Sequence, residues 1–200
     1  MIFLCTMEKR TSFIADGIYH VYNRGNGNDR IFRNPGNYDF FMRKYWEYMN
    51  PHWDTITWCL MPNHFHFLVR VRENFRSPEN VGLVCSQAFS NFTNSYVQSF
   101  NRQHKRKGSL FMRSFKRKSV HDTEYLKTLV CYIHNNPVKD GIVPAPENWL
   151  YSSYHDLLHS TAIQFAREPA LNVFQDKEDF ILQHKLQLSP GSITIPYVAA

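Results

Sequence analysis

An α+β fold built on one antiparallel sheet is predicted for this 200-residue chain by three observations. From His64 to Arg72 the residues alternate strictly. Phe65, Phe67, Val69 and Val71 fall on one side and His64, His66, Leu68 and Arg70 on the other, the period-two pattern of a strand. Val81, Val84, Cys85, Ala88, Phe92, Tyr96 and Phe100 recur at three- and four-residue intervals, the pattern of a long helix with one buried face. Up to residue 120 the segments run strand, helix, strand, strand, helix, strand. That β-α-β-β-α-β order is the arrangement of ferredoxin-like folds, an antiparallel sheet with two helices on one face.

The first strand is Ile18 to Asn23, rich in Tyr, Val and His, and Arg24-Gly25-Asn26-Gly27 closes it as a turn. A helix follows from about Asn37, a good N-cap, to Met49, where Asn50-Pro51 stops it. Trp53 to Leu60 is strand-like, Met61-Pro62-Asn63 is a short turn, and the alternating strand from His64 completes a hairpin. Ser77-Pro78-Glu79 opens the long helix with a capping side chain and a proline at the first helical position, and that helix ends near Arg102. Gly108 starts an extended stretch through Val120. Asp122 or Thr123 begins another helix, with Leu126, Leu129, Val130 and Ile133 on one side, and Pro137 is predicted to end it. A short helix is expected at Asp176–Gln187.

An apolar fraction of 43% and an aromatic fraction of 16% supply a sizeable core and exclude a disordered chain. The chain holds no apolar run long enough to cross a membrane as a helix. Met1 to Met7 meets Glu8-Lys9-Arg10 too soon, and in the wrong order, for a signal peptide. Cys5, Cys59, Cys85 and Cys131 are far apart, which points to a reduced, cytoplasmic setting.

The net charge of +6 is concentrated in one segment. Residues 102–118 hold 8 Lys/Arg and no acid, against 10 basic and 8 acidic residues before them and 5 and 9 after them. Those cations are Arg102, Lys105, Arg106, Lys107, Arg113, Lys116, Arg117 and Lys118, with Phe111 and Phe115 among them. Cations interleaved with aromatics fit a polyanion, most often nucleic acid; a solvated basic loop has the same composition.

The sharpest chemical feature is the His64-Phe65-His66 triplet. The two imidazoles share the strand face opposite the apolar row, and such a pair suits a divalent metal although two ligands are an incomplete set. Two half-buried histidines satisfied by their neighbours would look the same. Tyr132 and Asn136 lie four apart, on one face of the last helix before Pro137. A tyrosine needs a metal or base nearby to become a nucleophile, and an amide oxygen one turn along could complete a ligand set. Core-edge tyrosines would also fit. His20 on the first strand could serve as a further polar group but reads as structural, and Tyr151 and Tyr154 are rival nucleophiles whose loop setting and Ser-Ser-Tyr pattern point to packing instead.

Several segments together resemble the REP-associated tyrosine transposases, within the single-tyrosine HUH transposases. They are Tyr19-His20-Val21-Tyr22-Asn23-Arg24-Gly25, Met61-Pro62-Asn63-His64-Phe65-His66-Phe67-Leu68-Val69, Gly108-Ser109-Leu110-Phe111 with Phe115-Lys116, and Tyr132-Ile133-His134-Asn135-Asn136-Pro137-Val138 followed by Gly141-Ile142-Val143. Trp149 and Ser152-Ser153-Tyr154 complete the pattern, which runs from about Tyr19 to Tyr154. The resemblance implies a catalytic domain over residues 1–158, with an added C-terminal catalytic helix, and an extension of unassigned role over 159–200. It implies that His64 and His66 are the HUH pair, Tyr132 the nucleophile and Asn136 a metal-holding amide, with Mg²⁺ or Mn²⁺ as cofactor. The implied partner is single-stranded or hairpin DNA, cleaved to a 5′-phosphotyrosine and a free 3′-OH and bound partly by the basic segment. The implied location is cytoplasmic, at the nucleoid when DNA is bound; monomer and homodimer both remain open. Alternatives are the same chemistry used to process dispersed palindromes, and a regulator that binds without catalysis. Pure binding needs neither the histidines nor the tyrosine, which disfavours the last.

Overall fold

The computed structural model describes residues 11–73, 78–159 and 173–189. The expectations for residues 1–10 (Cys5 included), for Ser77, and for 160–172 and 190–200 lie outside the described residues. β1 (Ile18–Arg24), α1 (Pro35–Met49), β2 (Trp53–Met61), β3 (His64–Val71), α2 (Val81–Gln103) and β4 (Lys116–Val120) follow in the expected order. The sheet order is β2-β3-β1-β4 with every neighbouring pair antiparallel, which is the ferredoxin-like connectivity.

Besides the 3₁₀ turn of Pro78–Asn80, after which α2 proper begins at Val81 and not at the expected Pro78, three boundaries differ from the sequence reading, each for a local reason. α1 starts two residues before Asn37, because Asn34 supplies the cap by accepting from the Asn37 amide at 3.1 Å and Pro35 fits the first turn. Asn37 instead ties α1 to α2, its amide nitrogen donating to Gln103 Oε1 at 2.8 Å. The extended stretch from Gly108 becomes a strand only at Lys116. Before that the chain turns back on the β1 end, where Asn26 donates to the Leu110 carbonyl and Phe111 bridges Gly25. A Cβ on Gly25 would stand 2.1 Å from the Asp29 carbonyl oxygen, so no other residue fits that turn without moving backbone.

The third difference matters most. Helix α3 (Thr123–Lys139), capped by Asp122, runs through Pro137 instead of stopping there. A proline inside a helix costs about 3 kcal/mol because it orphans the carbonyl four residues back, here that of Ile133. The Asn136 side chain answers part of that loss, donating to the Tyr132 carbonyl at 2.7 Å and to the Ile133 carbonyl at 3.4 Å. Burial supplies the rest: Leu129, Val130, Ile133 and Tyr132 pack on the sheet with Ile56, Cys59, Met61 and Leu68.

The sheet is therefore covered on both faces. On one, α1 and α2 enclose Phe65, Phe67, Val69 and Val71 with Phe41, Tyr45, Phe89 and Phe92, and the Tyr45 and Phe67 rings stack at 4.0 Å. On the other lies α3. The stretch after it fastens to the β2 edge, Leu60 donating to the Tyr151 carbonyl and Ser153 to that of Trp58, before the short α4 (Tyr154–His159).

Helix α5 (Lys177–Gln187), close to the expected span, packs on the outer side of α3. Lys127 pairs with Asp179 at 2.8 Å, Asn135 donates to the His184 carbonyl, and Gln187 donates to that of Thr128. Between the helices is a buried polar chain. His184 Nδ1 donates to the Phe180 carbonyl at 2.7 Å, so its Nε2 accepts from His134 Nδ1 at 2.9 Å. His134 Nε2 then accepts from the Thr57 or Ser153 hydroxyl, at 2.7 and 2.9 Å. Every position is filled only while both rings are neutral.

Burial holds the His184 pKa down at about 4 and that of His134 well below the ordinary histidine value. Below about pH 6.5 an unfolded His184 takes up a proton that the folded one refuses, so stability is fully present above that pH and declines as pH falls towards 4. For this residue the loss is on the order of 3 kcal/mol. Melting temperature should fall over that window, and His184→Gln should flatten the fall by about one proton. An equal slope in that variant would place the proton uptake elsewhere.

Candidate active site on the α3 face of the sheet

Strand alternation and register bring the polar residues of four elements to one place. β3 turns His64 and His66 towards α3. Arg24 of β1 pairs with His64 and Tyr22 with His66, while β4 sets Lys116 beside Tyr22 and Lys118 beside His20. Tyr132 and Asn136 descend from α3. The His64 and His66 rings lie 5.0 Å apart at 85°, and the Tyr132 ring meets His66 edge-on at 5.8 Å and His20 at 6.5 Å. The four residues singled out in the sequence thus converge in one chain.

Each candidate ligand offers an acceptor atom. Asn63 Oδ1 takes the Nδ1 proton of His64 at 2.8 Å, which leaves His64 Nε2 with its lone pair. Asn136 has its amide N–H committed to its own helix, so its oxygen is the free end, and Asn136 lies within hydrogen-bonding reach of the His64 ring. Acceptors facing each other with no proton between them suit a cation. His66 adds Nε2, a buried nitrogen with no hydrogen-bond partner. Two imidazoles and an amide oxygen fit a divalent ion that completes its shell with oxygens from elsewhere. Among the described residues no group of three or more His, Cys, Asp or Glu converges in this way.

Burial keeps these rings neutral. The pKa of His64 is lowered by burial, partly offset by Asp140 and Asn136; that of His66 is held well below the usual value by burial and then by His20 and His64. Burial, then Lys118, brings His20 to about 3. Neutral imidazoles keep the lone pairs that a metal needs.

Three residues at the site were not among the sequence candidates for chemistry. His20 is fully buried, with Nε2 2.9 Å from His66 Nδ1, so it belongs to the site as well as to the core. Arg24, opposite His64, has a buried Nε with no partner. Lys139, two turns beyond Tyr132, holds its ammonium 5.0 Å above the Tyr132 ring. Strand parity and helical spacing carried the signal for all three, but only pairing register shows what they face. The rival tyrosines are packing residues: Tyr151 stacks on Tyr38 at 3.7 Å, and Tyr154 is buried beside His134 and His184 with its pKa pushed up to about 12.

The basic segment divides. Lys116 and Lys118 point to the site face, while Arg117, one residue out of phase, points to the helix face. There Arg117 lies 4.4 Å over the Phe13 ring and bonds Ser86 Oγ at 2.9 Å and the Thr11 carbonyl. Arg106 pairs with Asp29 at 2.8 Å and bonds Asn101. Arg102, Lys105, Lys107 and Arg113 are exposed. Between α2 and residues 109–118 runs a groove of about 1070 Å³, floored by Ser86, Ser90, Thr93 and Asn94 and reaching Tyr22.

Comparison with known proteins bears on this arrangement. Residues 18–136 match the family described as Transposase IS200 like, a span from the start of β1 to Asn136 that includes all four converging residues. A Haemophilus influenzae protein described as a REP-associated tyrosine transposase is 30% identical over 107 residues, 51% of this chain and 59% of that protein. The chain thus spans a little under two thirds of the length of that relative. A solved REP-associated tyrosine transposase, bound to a REP hairpin, superposes with a TM-score of 0.57 at 18% identity, covering 79% of this chain and 89% of the other. At that identity the likeness is one of fold.

Because Arg117 is part of the packing, Arg117→Gln should lower stability by about 1–3 kcal/mol. The double change Lys116→Gln and Lys118→Gln should cost no more than about 1 kcal/mol, as for other exposed sites. Denaturant titrations compare the two; a larger loss in the double variant would reverse the assignment of strand faces.

Proposed function

This chain belongs to the IS200-like transposase family, and we propose that it cleaves and transfers single-stranded DNA at palindromic hairpins through a 5′-phosphotyrosine on Tyr132. The observation that carries this reading is the meeting of Tyr132 and Asn136 of α3 with His64 and His66 of β3 in the same chain, which puts a nucleophile beside a candidate metal-binding set. It accords with the hairpin carried by the structural relative.

In this reading Tyr132 Oη attacks the scissile phosphorus. The P–O3′ bond breaks, the phenol gives up its proton and O3′ takes one up, so the upstream strand is released with a free 3′-OH while the downstream strand stays on Tyr132 through its 5′-phosphate. A 3′-OH of the same or another strand reverses the step, so rejoining conserves the phosphodiester and needs no ATP. His64, His66 and Asn136 would hold Mg²⁺ or Mn²⁺, which when bound polarises the scissile phosphate; imidazole ligands favour Mn²⁺. Lys139 above the Tyr132 ring stabilises the phenolate as it forms. Arg24, Lys116 and Lys118 line the approach to the site and meet backbone phosphates, Arg113 extends that surface along the groove, and the exposed Arg102, Lys105 and Lys107 add further cations to it. Arg106 and Arg117 hold the limb that carries them. Buried free thiols at Cys59, Cys85 and Cys131 suit a reducing cytoplasm, with the protein at the nucleoid when DNA is bound.

Incubation with a pool of hairpin oligonucleotides and Mn²⁺ should give protein–DNA adducts that survive denaturation. Tyr132→Phe should abolish them and bind the hairpins within a few-fold of the parent; adducts at full rate in that variant would remove Tyr132 as the nucleophile. In binding titrations across salt, replacing Lys116 and Lys118 by Gln should reduce the slope of log affinity against log salt by about 1.4 for single-stranded contacts and about 1.8 for duplex. An unchanged slope would put the DNA surface elsewhere.

A further inference from the structure

His20 reaches no solvent, yet it carries two ring nitrogens that burial makes expensive to leave unpaired. Its ring lies against Tyr22 at 4.7 Å and beside His66 at 5.1 Å, the latter at an interplanar angle of 24°, and Tyr22 and His66 are themselves 6.0 Å apart. Register explains the placement: Tyr22 stands directly opposite His66, so His20, two residues along on the same face, meets His66 on the diagonal. His20 Nε2 and His66 Nδ1 are 2.9 Å apart, which requires one proton between them. The outer nitrogens, His20 Nδ1 and His66 Nε2, are both buried and without a partner. A core histidine chosen only for packing would have at least one outer nitrogen satisfied, as His134 and His184 do.

The shared proton has two arrangements. Carried on His66 Nδ1, it leaves a lone pair on His66 Nε2, facing the place where His64 and Asn136 present their acceptors. Carried on His20 Nε2, it forces His66 to hold its own proton on Nε2, and that nitrogen can then bind no cation. No charge changes between the two, but both tautomers do: in the first His20 holds its own proton on Nδ1, and in the second that nitrogen is bare and His66 holds its own on Nε2. An imidazole ligand is set in its tautomer and made more basic by whatever accepts its other N–H.

We propose that His20 is a positioning residue for metal binding: its Nε2 accepts the Nδ1 proton of His66 and so presents His66 Nε2 as a ligand atom. The inference rests on the metal-site reading of His64, His66 and Asn136 and adds to it a residue that touches neither metal nor DNA. It assigns the stacked Tyr22 ring a part as well, since that ring fixes the plane in which His20 accepts.

The test uses the full chain and Mn²⁺ alone, with free ion followed by electron paramagnetic resonance and thermal melts run in parallel. His20→Phe keeps a flat ring against Tyr22 and His66 and removes the acceptor. His20→Gln keeps an acceptor, its Oε1 reaching about as far along the side chain as the lost Nε2. Mn²⁺ affinity should fall about 10–100-fold in His20→Phe and return to within about threefold of the parent in His20→Gln, scaled to the usual effect of removing such a partner. If the Phe variant melts far below the parent, His20→Met, unbranched and weak as an acceptor, takes its place. Unchanged affinity in a folded Phe or Met variant overturns the inference, as does a folded Gln variant that binds as poorly as Phe. A parent chain that takes up no Mn²⁺ overturns the metal-site reading itself, and this inference with it. A parent that binds, whose His66→Ala variant does not, keeps the two apart.

Discussion

The packing of α3 against the second face of the sheet sets every distance between the strand residues of the site and those of the helix. Tyr132, Asn136 and Lys139 belong to that helix, while His20, His64, His66, Lys116 and Lys118 belong to the strands, so the site exists only where the two surfaces are in register. The contact is mostly apolar, Leu129, Val130 and Ile133 against Ile56, Cys59 and Leu68, and apolar contact alone does not fix how a helix is rotated. Directional bonds do that. His134 reaches through the interface to Thr57 of β2 and Ser153 beyond it, and to His184 of α5 on the far side.

This arrangement makes the fold depend on neutral imidazoles in two places for two purposes. At His134 and His184 they complete a hydrogen-bond chain that has no room for a further proton. At His64 and His66 they keep lone pairs free at the site, and at His20 an acceptor for the His66 ring. In both clusters burial is the first cause of the depressed pKa, so the environment that packs α3 also keeps the site's imidazoles neutral. The extension beyond residue 158 is part of that environment, since α5 supplies His184, Asp179 and Gln187 to α3.

The charge-dense segment shows how a strand turns composition into two functions. Eight cations with no acid among them read as one electrostatic feature. Folded, β4 sends Lys116 and Lys118 to the site and Arg117 to a cation–π contact with Phe13, while Arg106 is spent on Asp29. Only alternation, which the sequence held but charge counting ignored, separates them.

The sequence by itself determined the sheet, its helices and the side of β3 on which the histidines lie, because periods of two and of 3.6 are local properties of the chain. It also marked Tyr132 and Asn136 as one helix face. Tertiary structure decided what lies against what. Pro137 sits inside α3 because burial and the Asn136 amide outweigh a local penalty, and no local signal weighs those terms. Asn34 rather than Asn37 caps α1 because Asn37 is drawn to Gln103, sixty-six residues away. His20 joins the site because β1 pairs with β3 in one register out of many, and a pairing register is fixed by the packing of the whole sheet, not by either strand alone.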